Sequence, residues 1–215
     1  MDAKITGRVR GKSTGNYAEG QADQQFEMNN RGDMCVVQAL PERTELVRMG
    51  SSYFSVGTGV APVTAIPSTG AHFSLWNGEA DGGKSYIIDA VGTVITTSAG
   101  AAINLGICGQ LNLGKVTNPA GAVAIKSLSG KLNYGGLGNC KASVTVTNDS
   151  AWLPLGNTVV CANTANLMLN VHYELYGRII IPPGGLFSLV SLCNAAGSAV
   201  CTPYMIWHEV QLVLG

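Results

Sequence analysis

Acid–base or metal chemistry in this chain would have to be organised around three histidines, His72, His172 and His208, each in a stretch that reads as β-strand. His172 and Glu174 stand two residues apart, the spacing that places two side chains on one face of a strand. His208-Glu209 supplies two more candidate ligands. A zinc or catalytic metal site needs a third ligand at telling spacing, and none follows, so the His172–Glu174 pair is expected to be hydrogen-bonded at a contact between copies of the chain. Trp76, Trp152 and Trp207 are expected as core or interface anchors, and Trp207 is assigned to the same contact as His172 and Glu174.

Other chemistries find less support. Gly106-Ile107-Cys108-Gly109 is the nearest approach to a nucleophile in a tight turn, but a buried strand cysteine explains it better, and no Gly-x-Ser-x-Gly elbow occurs. A glycosidase needs two carboxylates across a cleft, and nothing selects a pair among Glu79, Asp81, Asp89, Asp149, Glu174 and Glu209. Gly135-Gly136-Leu137-Gly138 lacks the lysine and βαβ context of a phosphate cradle and reads as a mobile loop. The acids and glycines of Gly78 to Lys84 lack the ligand spacing of a calcium loop and read as a surface hairpin loop. Arg31-Gly32-Asp33 reads as a turn in a polar segment, and the sequon Asn148-Asp149-Ser150 as idle in a chain made in the cytosol. No catalytic residue, metal or cofactor is expected.

The elements that must position these residues are strands. Tyr53 to Val56, His72 to Trp76, Lys84 to Thr97, Ala101 to Leu113, Ala122 to Leu128, Ala142 to Thr147, Thr158 to Cys161, Leu167 to Tyr176, Arg178 to Ile181, Leu186 to Cys193 and Ala199 to Leu214 are rich in Val, Ile, Thr and Tyr and bounded by turn residues. Within Leu167 to Tyr176 the alternation places Leu167, Leu169, Val171, Tyr173 and Leu175 on a core face and Met168, Asn170, His172, Glu174 and Tyr176 on the other. Pro182-Pro183-Gly184-Gly185 forces a turn between two apolar strands. No window sustains a helical period over three turns, although Glu42 to Arg48 is compatible with a short helical turn. The fold class is all-β, an antiparallel sandwich or barrel.

Charge is distributed unevenly. The first fifty residues hold seven bases (Lys4, Arg8, Arg10, Lys12, Arg31, Arg43, Arg48) and seven acids, whereas the remaining 165 carry six of each. A free monomer needs surface charge to avoid sticking to itself, so a body this neutral suggests covered faces. Residues 1–45 are expected to be an extended arm, interrupted by glycines and poor in apolar residues, with Cys35 to Leu40 its one strand-like stretch; residues 46–215 form the body. Lys4, Arg8, Arg10, Lys12 and Arg31 are the candidate partner-binding residues of the arm. With a net charge of zero there is no field to hold nucleic acid across the whole molecule, and the two long uncharged windows are too broken for a membrane span. Six dispersed cysteines without a C-x-x-C pair, in a chain whose polar start lacks a secretory signal, are expected to be buried free thiols, with a Cys193–Cys201 bridge as the alternative.

Pro41 to Gly50, Leu75-Trp76-Asn77-Gly78-Glu79, Gly82 to Asp89 and the Pro182 to Gly185 turn give the chain a pattern that resembles structural proteins of tailed-bacteriophage virions, in particular capsid decoration or cement proteins. The resemblance implies a jelly-roll-like sandwich, a homotrimer seated on the capsid exterior after synthesis in the host cytoplasm, and an arm that clamps neighbouring copies of the major capsid protein. It brings no active-site residues. A receptor- or carbohydrate-binding module of a fibre or spike is the alternative.

Overall fold

Alternation of β-branched and aromatic residues with polar ones produces ten strands and one short helix among the described residues of this computed structural model, which are 42–66, 69–97, 104–112, 122–130, 133–146, 152–157, 170–194 and 199–212. The elements are α1 (Glu42–Arg48), β1 (Ser52–Val56), β2 (Gly70–Trp76), β3 (Lys84–Thr97), β4 (Leu105–Asn112), β5 (Ile125–Ser127), β6 (Asn139–Thr145), β7 (Leu153–Asn157), β8 (Asn170–Ile181), β9 (Leu186–Cys193) and β10 (Val200–Gln211). The chain divides into two compact units, Met1–Glu42 and Arg43–Gly215, and the strands belong to the second. The expected arm and the stretches Cys35 to Leu40 and Thr158 to Cys161 lie wholly or almost wholly outside the described residues.

Two antiparallel five-stranded sheets pack face to face, in the orders β5-β1-β10-β3-β8 and β6-β2-β9-β4-β7. Every pair of successive strands except β6 and β7 crosses from one sheet to the other, and without β5 and β6 the orders β1-β10-β3-β8 and β2-β9-β4-β7 are the double Greek key of a jelly roll, with β5 and β6 added as outer strands beside β1 and β2. Gly78 to Lys84 is therefore a crossover between sheets, which corrects the hairpin expected there.

Between the sheets lies the main core of Phe73, Leu75, Tyr86, Ile88, Leu105, Ile107, Ile181, Phe187, Leu189, Met205 and Trp207 with their neighbours, beside a smaller cluster of Ala71, Val144, Val146 and Leu186. Val171 and Leu175 face it and Tyr173 packs against it, as the alternation requires, while His172 and Tyr176 are exposed. Thr93 Oγ1 and Ser191 Oγ, 2.9 Å apart, hydrogen-bond across the interior, so neither hydroxyl is stranded. Cys108, Cys140, Cys193 and Cys201 are buried and not disulfide-bonded, so the alternative Cys193–Cys201 bridge is not formed. Burial pushes the Cys140 and Cys201 thiols up to about 12. No helix among the described residues is long and apolar enough to cross a membrane.

Strand β8 is continuous where the sequence suggested two strands. Tyr176 (φ 51) and Gly177 (φ 74) both take the left-handed region, and the register slips between Ile88 and Ala90 of β3. The extra residues bulge out of an edge strand, a device that blunts edge-to-edge pairing.

Asn77, fully buried, ties two crossovers together. Its Nδ2 donates to the carbonyls of Lys84 (2.9 Å) and Ile181 (3.0 Å), and its Oδ1 accepts from Glu79 N–H (3.0 Å). Its main chain bonds Gly184 and Gly185 of the expected Pro182 to Gly185 turn.

Candidate functional site

The outward positions of β10 are Thr202, Tyr204, Ile206, His208 and Val210, because Met205, Trp207 and Glu209 between them point inward. Tyr204 lies over Gly92 of β3, where a Cβ would come 2.0 Å from its ring. The missing side chain lets the phenol reach across to β8. There His172 Nδ1 is 2.9 Å from the Tyr204 hydroxyl, which donates to Asn170 Oδ1 at 3.0 Å. His172 Nε2 bonds Glu174 Oε1 at 2.9 Å, and Arg43 Nη1 of α1 donates to Glu174 Oε2 at 3.2 Å. The Arg43 guanidinium also sits 5.1 Å above the Tyr176 ring. The His172 hydrogen bond, followed by Arg43, holds the Glu174 carboxyl below the ordinary glutamate range.

The order phenol, imidazole, carboxylate has the connectivity of a proton relay, but the phenol oxygen is already committed to His172 and Asn170. The network instead fixes the outer face of three strands and of α1. His208 Nδ1 and Asp89 Oδ2, 2.9 Å apart, make a second half-buried pair on this face. Among the described residues no three His, Cys, Asp or Glu side chains come together as a metal site.

The Tyr204 bridge depends on the absence of a Cβ at position 92. Gly92→Ala is expected to lift the ring off the sheet and cost ~1–3 kcal/mol, read from urea unfolding. The penalty should largely disappear when the change is made in a Tyr204→Ala background, because the clash is pairwise; additive losses would refute the coupling.

Trp207 does not join this surface. It is 0% exposed, centred 6.2 Å from the Tyr53 ring, and its indole N–H points to Glu209 Oε1 at 3.5 Å, so its assignment to a contact between copies is corrected to an anchor of the core. The His208–Glu209 ligand pair is likewise dissolved, since the two side chains leave opposite faces of β10. Lys4, Arg8, Arg10, Lys12 and Arg31 lie outside the described residues.

At one end of the sandwich Glu209 is buried, 3% exposed, among aromatic rings. Tyr134, from the loop before β6, donates to Glu209 Oε1 at 2.5 Å and accepts from Gly138 N–H at 2.9 Å. Its ring meets Tyr53 edge-on with centroids 4.9 Å apart, and its hydroxyl is 3.4 Å from that of Tyr86. Lys84 Nζ stands 3.7 Å from Glu209 Oε2, an ion pair too long to be a hydrogen bond, and Oε2 has no hydrogen-bond partner. Burial raises the Glu209 carboxyl above the ordinary range against the opposing effects of Tyr134, Lys84 and Trp207. Sequence reasoning missed this group because Tyr134 and Glu209 are 75 residues apart, with no local pattern linking them.

No protein-family model, curated protein or solved structure matches this chain.

Proposed function

We propose that this chain is a structural protein of a bacteriophage virion, a capsid decoration or cement protein that assembles as a homotrimer on the capsid exterior and reinforces contacts between copies of the major capsid protein. The observation that carries this reading is that the 165 residues after Gly50 hold only twelve charged side chains, in a body built on a jelly roll, the fold that recurs in viral capsid and lectin domains. Phe54, Ile87 and Ile206 stand half-buried on the outer face of the first sheet, so apolar surface accompanies the scarcity of charge.

The action in this reading is mechanical. A trimer spanning the joints between shell subunits adds buried area at each joint, and repetition around a closed shell multiplies a modest contact into resistance to internal pressure. Residues 1–45 serve as an arm that orders on the shell, its bases Lys4, Arg8, Arg10, Lys12 and Arg31 pairing with acidic groups there. The protein works without catalysis or cofactor and without membrane or specific nucleic-acid binding.

Native mass spectrometry of the purified full chain, followed by co-sedimentation with shells of the encoding virus stripped of this protein, tests the proposal. A trimer that rebinds the shells is expected, with affinity reduced about tenfold or more when Lys4, Arg8, Arg10 and Lys12 are all replaced by serine. A monodisperse monomer that stays in the supernatant would overturn it. Closed particles formed by the chain alone would mean a shell subunit instead.

A further inference from the structure

The geometry points to the loop from Asn133 to Gly138 being a proton-gated plug: Tyr134 closes one end of the sandwich over Glu209 while that carboxyl is protonated, and ionisation of Glu209 drives the loop open to water. This goes beyond the virion role and does not depend on it.

Tyr134 is the residue that ties this loop to the interior. Asn133, Gly135 and Leu137 are exposed, whereas the Tyr134 ring inserts against Tyr53 and its hydroxyl bridges Glu209 and the Gly138 amide. Gly136 passes so close to the carboxylate that a Cβ there would lie 2.9 Å from Glu209 Oε2, so the glycine backbone itself covers the oxygen. A buried carboxylate is stable as an anion when several donors surround it. Glu209 has one short donor, Tyr134, one long one, Trp207, and a half-exposed lysine at 3.7 Å.

Other titratable groups that face it are Tyr53 from β1, Tyr86 and Lys84 from β3, Glu79 from the β2–β3 crossover and Cys140 from β6. Burial and the carboxylate push the Tyr53, Tyr86 and Tyr134 phenols up, and Glu79 adds a like charge that further disfavours the Glu209 anion. Opening the loop would return Glu209 to water and its ordinary range. The closed state therefore binds the proton more tightly, and linkage fixes the sign: closure is fully present at acid pH and is lost as pH rises through the raised value.

Hydrogen exchange of the full-length protein tests this through the Gly138 amide, normalised to its intrinsic rate, with the central strands β3 and β10 as an internal control for global unfolding. Protection of Gly138 is expected to fall as pH rises above the ordinary glutamate range and through the raised value of the closed carboxyl, by up to about tenfold for each pH unit separating the closed and open carboxyl. Glu209→Gln should retain a closed loop and abolish the pH dependence, Lys84→Met should move the midpoint to higher pH, and Tyr134→Phe should leave Gly138 unprotected throughout. Protection that does not change with pH in the native protein, a pH dependence that survives in Glu209→Gln, or acid protection that survives in Tyr134→Phe would overturn the proposal.

Discussion

Trp207→Ala is expected to lower the unfolding free energy by ~3–5 kcal/mol, the range for removing a large buried aromatic side chain. The indole is 0% exposed in the central strand of its sheet, within the core and beside Tyr53. Its removal would leave a void that fixed strands on both sides cannot close, and would strip one of the few donors from Glu209. A domain stabilised by ~5–15 kcal/mol would keep little margin. Guanidinium unfolding followed by far-ultraviolet circular dichroism measures the loss, and Trp207→Phe, which keeps a ring, should recover much of it. A loss below about 1 kcal/mol would mean that the indole is a surface group after all, as a contact between copies would require.

Asn77→Ala is expected to be comparably damaging, although the side chain is small. Three main-chain groups from three parts of the chain depend on it: the Lys84 and Ile181 carbonyls and the Glu79 amide. A buried polar group stripped of its partner costs ~1–3 kcal/mol, reduced wherever water can reach the vacated site. Asn77→Asp keeps the acceptor for Glu79 but aims a carboxylate at two carbonyl oxygens, so it should be no better than alanine despite its matching shape. Thermal unfolding of both variants decides the matter. An aspartate variant as stable as the native protein would show that the amide nitrogen does not hold the two crossovers together.

Much of the strand content was legible because alternation is local. β3 was placed at Lys84–Thr97 and β9 at Leu186–Cys193, and Val171 and Leu175 face the core as their spacing required. β7 was missed: Leu153-Pro154-Leu155-Gly156-Asn157 is short and contains a proline and a glycine, which lower its strand signal. It forms nonetheless at a sheet edge beside β4, the position where a proline is tolerated. The His172–Glu174 pair was found at two-residue spacing, but Tyr204 and Gly92, which complete the network, come from other strands.

Trp207 shows where local pattern runs out. Both rows of β10 mix polar and apolar residues, Tyr204, Ile206 and His208 against Met205, Trp207 and Glu209, and a charged glutamate beside Trp207 in its row argues for the solvent side. The assembled sandwich buries that row, because Tyr134 arrives from a distant loop with the hydroxyl that makes Glu209 tolerable inside. Composition and period therefore establish an all-β chain, the partition of each strand into two rows and the contrast between a charged first segment and a neutral body, since these depend on neighbours along the chain. Which row faces inward, which strands lie side by side and which polar groups find partners are settled by three-dimensional packing, because the free energy of burying a side chain depends on what lies across from it, and in this fold that neighbour is often a hundred residues away.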